Sequence, residues 1–264
     1  MRITLFGLGE AGSLFGADLA AAGATVAGYD PKDRPTPVGV SRHLDPASAV
    51  AGADLVLALT AQADARTAIE QALEHIPDYA LYADLSTSSA AVKQELAAIA
   101  AGRDLLFVDV ALMATVPGRG MRTPALAAGS GAQRYVAALT PLGVPVDAIS
   151  DRAGDAATRK LLRSVMMKGL AALVIEAMRA AEQAGLSEWL WGNLVDEITA
   201  ADEALLARLV RGTGPHAVRR LHEMEACQSQ LESLGVDPVM TRSTVESLRR
   251  VPAEGIPSLP AATP

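Results

Sequence analysis

Up to about residue 150 the chain alternates short apolar runs with longer stretches of helical periodicity, the pattern of βα units stacked into a mostly parallel sheet. The apolar runs at 2–6, 25–29, 54–59, 80–84 and 105–109 predict strands. The Ala- and Leu-rich segments 11–22, 63–75 and 89–101 predict the helices between them, each ending near a Gly or Pro. A strand at 124–128, a helix over 133–139 and a strand at 144–147 complete the sheet, here with room for strands that leave the parallel pattern. After Gly154 the strand signals stop and almost everything to Leu248 has helical spacing. Helices are expected over 155–184, 187–210, 215–234 and 241–249, the first of them ~45 Å long at 1.5 Å per residue and able to span both lobes of a cleft. The expected organisation is therefore α/β over 1–150, all-helical over 151–250, and a loose Pro- and Gly-containing tail over 251–264.

Composition narrows the function classes. The chain has 264 residues, half of them hydrophobic, but only three Phe, two Trp and four Tyr, so its core is aliphatic and offers no platform for stacking bases. A net charge of -7 repels polyanions, which argues against nucleic acid as a partner. No run reaches the ~18 uncharged apolar residues of a membrane span, and Gly7, Gly9 and Glu10 interrupt the apolar start too early for a signal peptide, so a cytoplasmic location is expected. Cys227 stands alone and is expected to be a buried structural thiol. His43, His75, His216 and His222 lack zinc-ligand spacing, and no protein-held metal is expected.

The strongest chemical signal is Gly7-Leu8-Gly9-Glu10-Ala11-Gly12, a G-x-G-x-x-G loop between a predicted strand and a predicted helix. Asp30 follows at the end of the next predicted strand, which completes the dinucleotide fingerprint of a Rossmann-type doubly wound sheet. Gly7 would permit the tight turn, Gly9 a close approach of backbone to pyrophosphate, and Gly12 close packing of helix on strand. The helix N-terminus would face the phosphates. A carboxylate at Asp30 would accept from both ribose hydroxyls and repel a 2′-phosphate, favouring NAD over NADP. Lys32 and Arg34 just beyond it leave NADP open, since they would pair with that phosphate if the loop folded back; as ordinary loop residues they would simply be solvated.

With these residues in view, the chain resembles the β-hydroxyacid dehydrogenase superfamily, the group that contains 3-hydroxyisobutyrate and 6-phosphogluconate dehydrogenases. Besides the glycine loop, Asp84-Leu85-Ser86-Thr87 is similar to the family's Asp-x-Ser-Thr loop, and Phe107-Val108-Asp109-Val110-Ala111 to the strand entering its substrate loop. Gly154, Lys160, Glu176 and the closing Ala184-Gly185-Leu186 resemble the family's long helix, with Lys160 at the catalytic lysine. The segment from His216 to Met224 resembles the helical C-terminal domain of a poorly characterised 6-phosphogluconate dehydrogenase-like subgroup. Two departures stand out: the family's Ser-Gly-Gly substrate loop is replaced by Leu112 to Gly118, and its asparagine four residues after the lysine is Ser164.

The resemblance implies an NAD(P)-dependent dehydrogenase acting on CH-OH, interconverting a small hydroxyacid and its carbonyl form, and a homodimer in which the helical domain completes the neighbour's cleft. Lys160 would be the proton shuttle. A lysine's ordinary pKa of ~10.4 is high for such a role, so the site would have to lower it. Lys160, Ser164 and Lys168 follow i, i+4, i+8 spacing and would present two ammonium groups and a hydroxyl on one helical face, suited to an anionic substrate; by composition alone both lysines are ordinary surface residues. Ser86 and Thr87 follow a strand end and would bind substrate, cap the next helix, or both. His216, Arg220 and Glu223 share a helical face that would hold a carboxylate or phosphate, or else form an interhelix ion-pair network. An imine reductase-like enzyme and a nucleotide-responsive binding protein without turnover are the competing functions.

Overall fold

A computed structural model describes residues 1–260 of the chain. Its first half runs β1 (Arg2–Phe6), α1 (Glu10–Ala21), β2 (Thr25–Tyr29), β3 (Val40–His43), α2 (Pro46–Val50), β4 (Leu55–Ala58), α3 (Ala65–Leu73), β5 (Leu81–Asp84), α4 (Ala90–Ala101), β6 (Leu106–Leu112), β7 (Ala125–Ala128), α5 (Ala132–Leu139) and β8 (Val146–Ser150). The eight strands form one sheet in the order β3-β2-β1-β4-β5-β6-β7-β8, and every pair is parallel except β6 with β7. β6 and β7 are joined without a crossover helix, and an antiparallel pair needs none. β1, β4 and β5 are buried on both faces, because helices cover both sides of the sheet. Successive side chains of β1 alternate between two cores: Ile3 and Leu5 join Phe15, Leu19 and Leu139 on one side, while Phe6 joins Val56, Ile69 and Tyr82 on the other.

The helical half comprises α6 (Asp155–Ala184), α7 (Ser187–Thr199), α8 (Glu203–Arg211), α9 (Thr213–Ser233) and α10 (Val239–Glu254). The chain divides into two compact units, Met1–Arg163 and Ser164–Pro264, with the division falling inside α6. Within the second unit Glu176 of α6 is buried, and its carboxylate accepts from the backbone N–H groups of Met240 and Thr241 at 2.7 and 2.8 Å and from Thr241 Oγ1 at 2.7 Å. It thereby caps the first turn of α10, where helical N–H groups have no partner of their own. Burial pushes the Glu176 carboxyl up, but these hydrogen bonds together outweigh it and hold the group below its ordinary range.

The sheet and helices agree with the doubly wound, then all-helical, architecture expected from periodicity, and the differences have local causes. The edge strand β3 and the five-residue α2 lie in a stretch punctuated by Pro31, Pro35, Pro37 and Pro46, with too few apolar positions to show a period. The single helix expected over 187–210 is two helices, because Asp202 turns its carboxylate onto Leu205 N at 2.8 Å and starts α8 afresh. α10 continues past Val251 to Glu254, so the first four residues of the expected tail are helical; residues 261–264 of that tail lie outside the described residues. Cys227, expected to be buried, is exposed: it lies on α9 in a part of the helical unit with few buried side chains. Among the described residues no helix is long and apolar enough to cross a membrane.

Candidate functional site

The glycine loop leaves β1 and enters α1 with two of its glycines fixed by sterics. Gly7 has φ +99, and a Cβ there would lie 2.5 Å from the Leu59 carbonyl oxygen; a Cβ on Gly12 would lie 1.9 Å from the Gly7 carbonyl oxygen. Gly9 differs, since a Cβ on it would meet nothing within 4 Å. The fold itself therefore needs Gly7 and Gly12, whereas the space over Gly9 is open. Among the described residues no side chain caps the α1 N-terminus, which leaves its first N–H groups to an anion. Leu8 turns its side chain into the core, Glu10 is exposed in the first turn of α1, and Ala11 packs partly buried against the core.

A cavity of about 390 Å³ opens from this loop and is lined by Gly7, Gly9, Tyr29, Asp30, Thr60 and Asp64 among others. Its size and mixed lining fit one end of a dinucleotide. Asp30 lies at its rim with one carboxylate oxygen accepting from Leu8 N and the other from Lys32 N, both at 2.8 Å, and each oxygen keeps a further lone pair. Lys32 and Arg34 also line the cavity. Their loop is tied down by Arg42 of β3, whose guanidinium donates to the carbonyl oxygens of Asp30, Lys32 and Arg34. Thr60 Oγ1 is buried without a hydrogen-bond partner among the described residues, a polar atom that a ligand in this cavity would satisfy. The open cradle over Gly9, the uncapped helix start and the orphaned hydroxyl all fit a dinucleotide.

A second cluster sits two strands along the sheet from β1, where β5 ends at Asp84 beside Asp109 in the middle of β6. Asp84 and Asp109 are 0% exposed and flank Lys93 of α4, itself 1% exposed. Lys93 Nζ lies 2.6 Å from Asp84 Oδ2, 2.7 Å from the Asp84 carbonyl oxygen and 3.3 Å from Asp109 Oδ1. Ser86 Oγ donates to Asp84 Oδ2 at 2.7 Å and lies 2.8 Å from Ser88 Oγ, so Ser86 is buried and spent within the cluster. Thr87, next along, is exposed and accepts a 3.0 Å hydrogen bond from Lys160 Nζ. The helix cap considered for Ser86 and Thr87 falls instead to Ser89, which accepts from Val92 N. Asp109 Oδ2 accepts from Gly154 N and Ala157 N, both at 3.0 Å, capping the long helix that carries Lys160. Removing one partner of a buried ion pair of this kind costs about 3–5 kcal/mol.

Lys93, Thr60 and Arg42 are not singled out by any sequence motif. Lys93 leaves a trace in the sequence nonetheless, for it shares a helical face with Leu96 and Ala100, where a lysine needs a buried counter-charge. Ser164 and Lys168 belong to the second unit; Lys168 is exposed in the single chain, as are its neighbours Val165, Met166 and Met167. Arg220 donates to the Leu209 carbonyl oxygen and to Thr213 Oγ1, fastening α8 to α9, while Glu223 pairs with Arg219 rather than Arg220 and His216 is exposed.

Comparison with known proteins identifies the family and the fold. A conserved hypothetical protein from Sinorhizobium meliloti 1021 is 30% identical, with 97% of this chain and 91% of that one covered and a TM-score of 0.62. A conserved protein of unknown function, described as structurally similar to 3-hydroxyacid dehydrogenases, is 24% identical over 95% of this chain and 96% of its own, with a TM-score of 0.60. An imine reductase from Myxococcus stipitatus in complex with NADP+ shares the fold at a TM-score of 0.81 and 17% identity, over 97% and 95% of the two chains. Residues 181–251 match a domain of unknown function, DUF1932. Residues 2–142, more than half of the sequence, match the NAD binding domain of 6-phosphogluconate dehydrogenase, and the chain belongs to that family.

Proposed function

We propose that the protein is an NAD(P)-dependent oxidoreductase that interconverts a small, anionic hydroxyacid and its carbonyl form, with Lys160 as the proton shuttle. The observation that carries this reading is the 3.0 Å hydrogen bond from Lys160 Nζ to the exposed Thr87 Oγ1, just past the C-terminal end of β5. Doubly wound sheets bind ligands along this edge, and the glycine loop opens from the same edge after β1. Gly7, Gly9, Asp30 and Thr60, with the uncapped start of α1, would hold the dinucleotide, and Glu10 and Ala11 would offer N–H groups from that helix start. When bound, the nicotinamide ring supplies the acceptor or donor of the hydride.

The chain's own groups would do the rest. Lys160 would hold a proton at the substrate oxygen or take it away, with Thr87 fixing the ammonium's direction. Thr87 would bind substrate, and Ser164 and Lys168 remain candidates on α6 for the same task, Lys168 through a positive charge suited to an anionic group. Ser86 would act from behind, by holding the Asp84 loop. His216 and Arg220 would serve the helical unit, with Arg220 chiefly fastening its α8–α9 corner.

A second reading is reduction of an imine. It is favoured by the backbone likeness to the Myxococcus stipitatus imine reductase, whose TM-score of 0.81 exceeds those of the uncharacterised neighbours. A homodimer is part of the proposal as well. Trp189, Trp191, Val165 and Ile198 of the helical unit are each exposed in the single chain, large apolar side chains of the kind that subunit contacts cover.

The deciding experiment is a parallel screen of hydroxyacid oxidation and of ketoacid and imine reduction with both nicotinamide coenzymes, followed by Lys160→Ala on the best substrate. The variant is expected to fold, to keep its coenzyme affinity and to lose about 10²–10⁴-fold in kcat. Near-normal turnover in Lys160→Ala would remove the proton-shuttle role. Coenzyme binding with no turnover across the whole panel would favour the binding-protein function instead.

A further inference from the structure

The contact between Lys160 and Thr87 joins two segments far apart in sequence, and each traces back to a buried carboxylate. Thr87 sits between Ser86 and Ser88, whose hydroxyls are joined to each other and, through Ser86, to Asp84. Lys160 stands on the second turn of α6, whose first N–H groups are held by Asp109. Gly154, at φ +99, brings that helix start so close to α4 that a Cβ would lie 3.0 Å from the Ala90 carbonyl oxygen. The helix therefore has little freedom except as its cap allows.

Two carboxylates buried this near each other repel unless a cation lies between them. Lys93 is that cation. Its ammonium donates to the Asp84 carbonyl oxygen and lies within ion-pair distance of Asp84 Oδ2 and Asp109 Oδ1; Asp109 Oδ1 is buried with no hydrogen-bond partner among the described residues, so Lys93 holds it by charge alone. With one oxygen of Asp109 facing Lys93, the other is left to face the positive end of α6. At 1% exposure, and away from the cavity lining, Lys93 touches neither solvent nor the coenzyme cavity.

We infer that Lys93 is a positioning residue: by lying between Asp84 and Asp109 and offsetting their mutual repulsion, it holds the Thr87 loop and the start of α6 in the register that brings Lys160 onto Thr87. This rests on the reading of Lys160 as the proton shuttle only for its functional meaning, and its test needs no turnover. The purified chain and two variants, Lys93→Met and Lys93→Met/Asp109→Asn, would be compared by three measurements. These are trace acetylation of Lys160 against the exposed Lys168 by mass spectrometry, amide hydrogen exchange at Ala157, and NADH affinity by fluorescence titration.

In Lys93→Met, acetylation of Lys160 is expected to rise to the level of Lys168, and exchange at Ala157 to quicken by about tenfold or more, while elements remote from the cluster keep their protection. NADH affinity should change little, since the Gly7–Gly12 loop shares none of these contacts. The double variant removes one negative charge along with the positive one, and the amide oxygen that Asp109→Asn leaves in place can still accept from Gly154 and Ala157; shielding of Lys160 should return. Unchanged Lys160 labelling in a folded Lys93→Met protein overturns the inference. A uniform rise in exchange across the whole sheet does so too, because it marks general destabilisation. If Lys93→Met does not fold, the double variant decides: folded with Lys160 shielded supports the inference, and unfolded or unshielded overturns it. Should Lys160→Ala keep full turnover, the catalytic reading falls while these measurements still stand.

Discussion

The Gly7 carbonyl oxygen occupies the place where a Cβ on Gly12 would have to go, 1.9 Å away from it. Over Gly9, two residues on from Gly7, the same construction meets nothing. The two positions should therefore fail differently. Gly12→Ala is expected to cost about 1–3 kcal/mol through overpacking, seen as a fall in Tm. Gly9→Ala should melt as the parent does and lose about tenfold or more in NADH affinity by fluorescence titration, because its methyl group projects into the phosphate approach. Equal loss of stability in both variants would show that the open space over Gly9 is not reserved for a ligand.

Asp30 lines the cavity alongside Lys32 and Arg34, and in the proposed function its charge would select between the two coenzymes. Asp30→Asn keeps one acceptor for Leu8 N–H and removes the repulsion of a 2′-phosphate. The ratio of NADPH to NADH affinity is expected to rise by about tenfold, equivalent to about 1.4 kcal/mol. Parallel titrations with the two coenzymes check it, and an unchanged ratio would place the preference elsewhere.

Glu176 should make the helical unit acid-sensitive. Its carboxyl is held below the ordinary value of 4.5 in the folded protein. The stability it adds is then complete above about pH 4.5 and is lost as pH falls through the lowered folded value. Glu176→Gln is expected to cost about 1–3 kcal/mol near neutrality, as a charged hydrogen-bond acceptor is exchanged for a neutral one. The difference in Tm between parent and variant should shrink as the pH is brought below 4.5; a difference constant with pH would mean that the ionised form is not what caps α10.

The exposed Trp189, Trp191 and Val165 predict self-association through the helical unit. Light scattering at micromolar concentration is expected to give twice the chain mass of 27.3 kDa. Val165→Glu and Trp191→Glu together should shift the population to monomer without lowering the Tm of the sheet unit.

Most of the architecture is readable in the chain because its signals are local. The apolar run of β1, the G-x-G-x-x-G that follows it and the long helical period of α6 each lie within one stretch of residues, and α6 starts and ends where its pattern does. The break between α7 and α8 is hidden because a single Asp202 outweighs helical periodicity on both sides of it. Cys227 departs from its expected burial because a thiol's environment depends on what packs over it, and the helical unit covers few of its side chains in the single chain.

The site divides in the same way. Gly7, Gly9, Gly12 and Asp30 announce a dinucleotide loop by spacing, since the turn that needs them spans a handful of residues and one neighbouring strand. Lys93 between Asp84 and Asp109, and Asp109 on the N–H groups of Gly154 and Ala157, join positions separated by up to 48 residues. No periodicity encodes such partners. They are chosen when the sheet closes and buries charges that can remain there only beside one another.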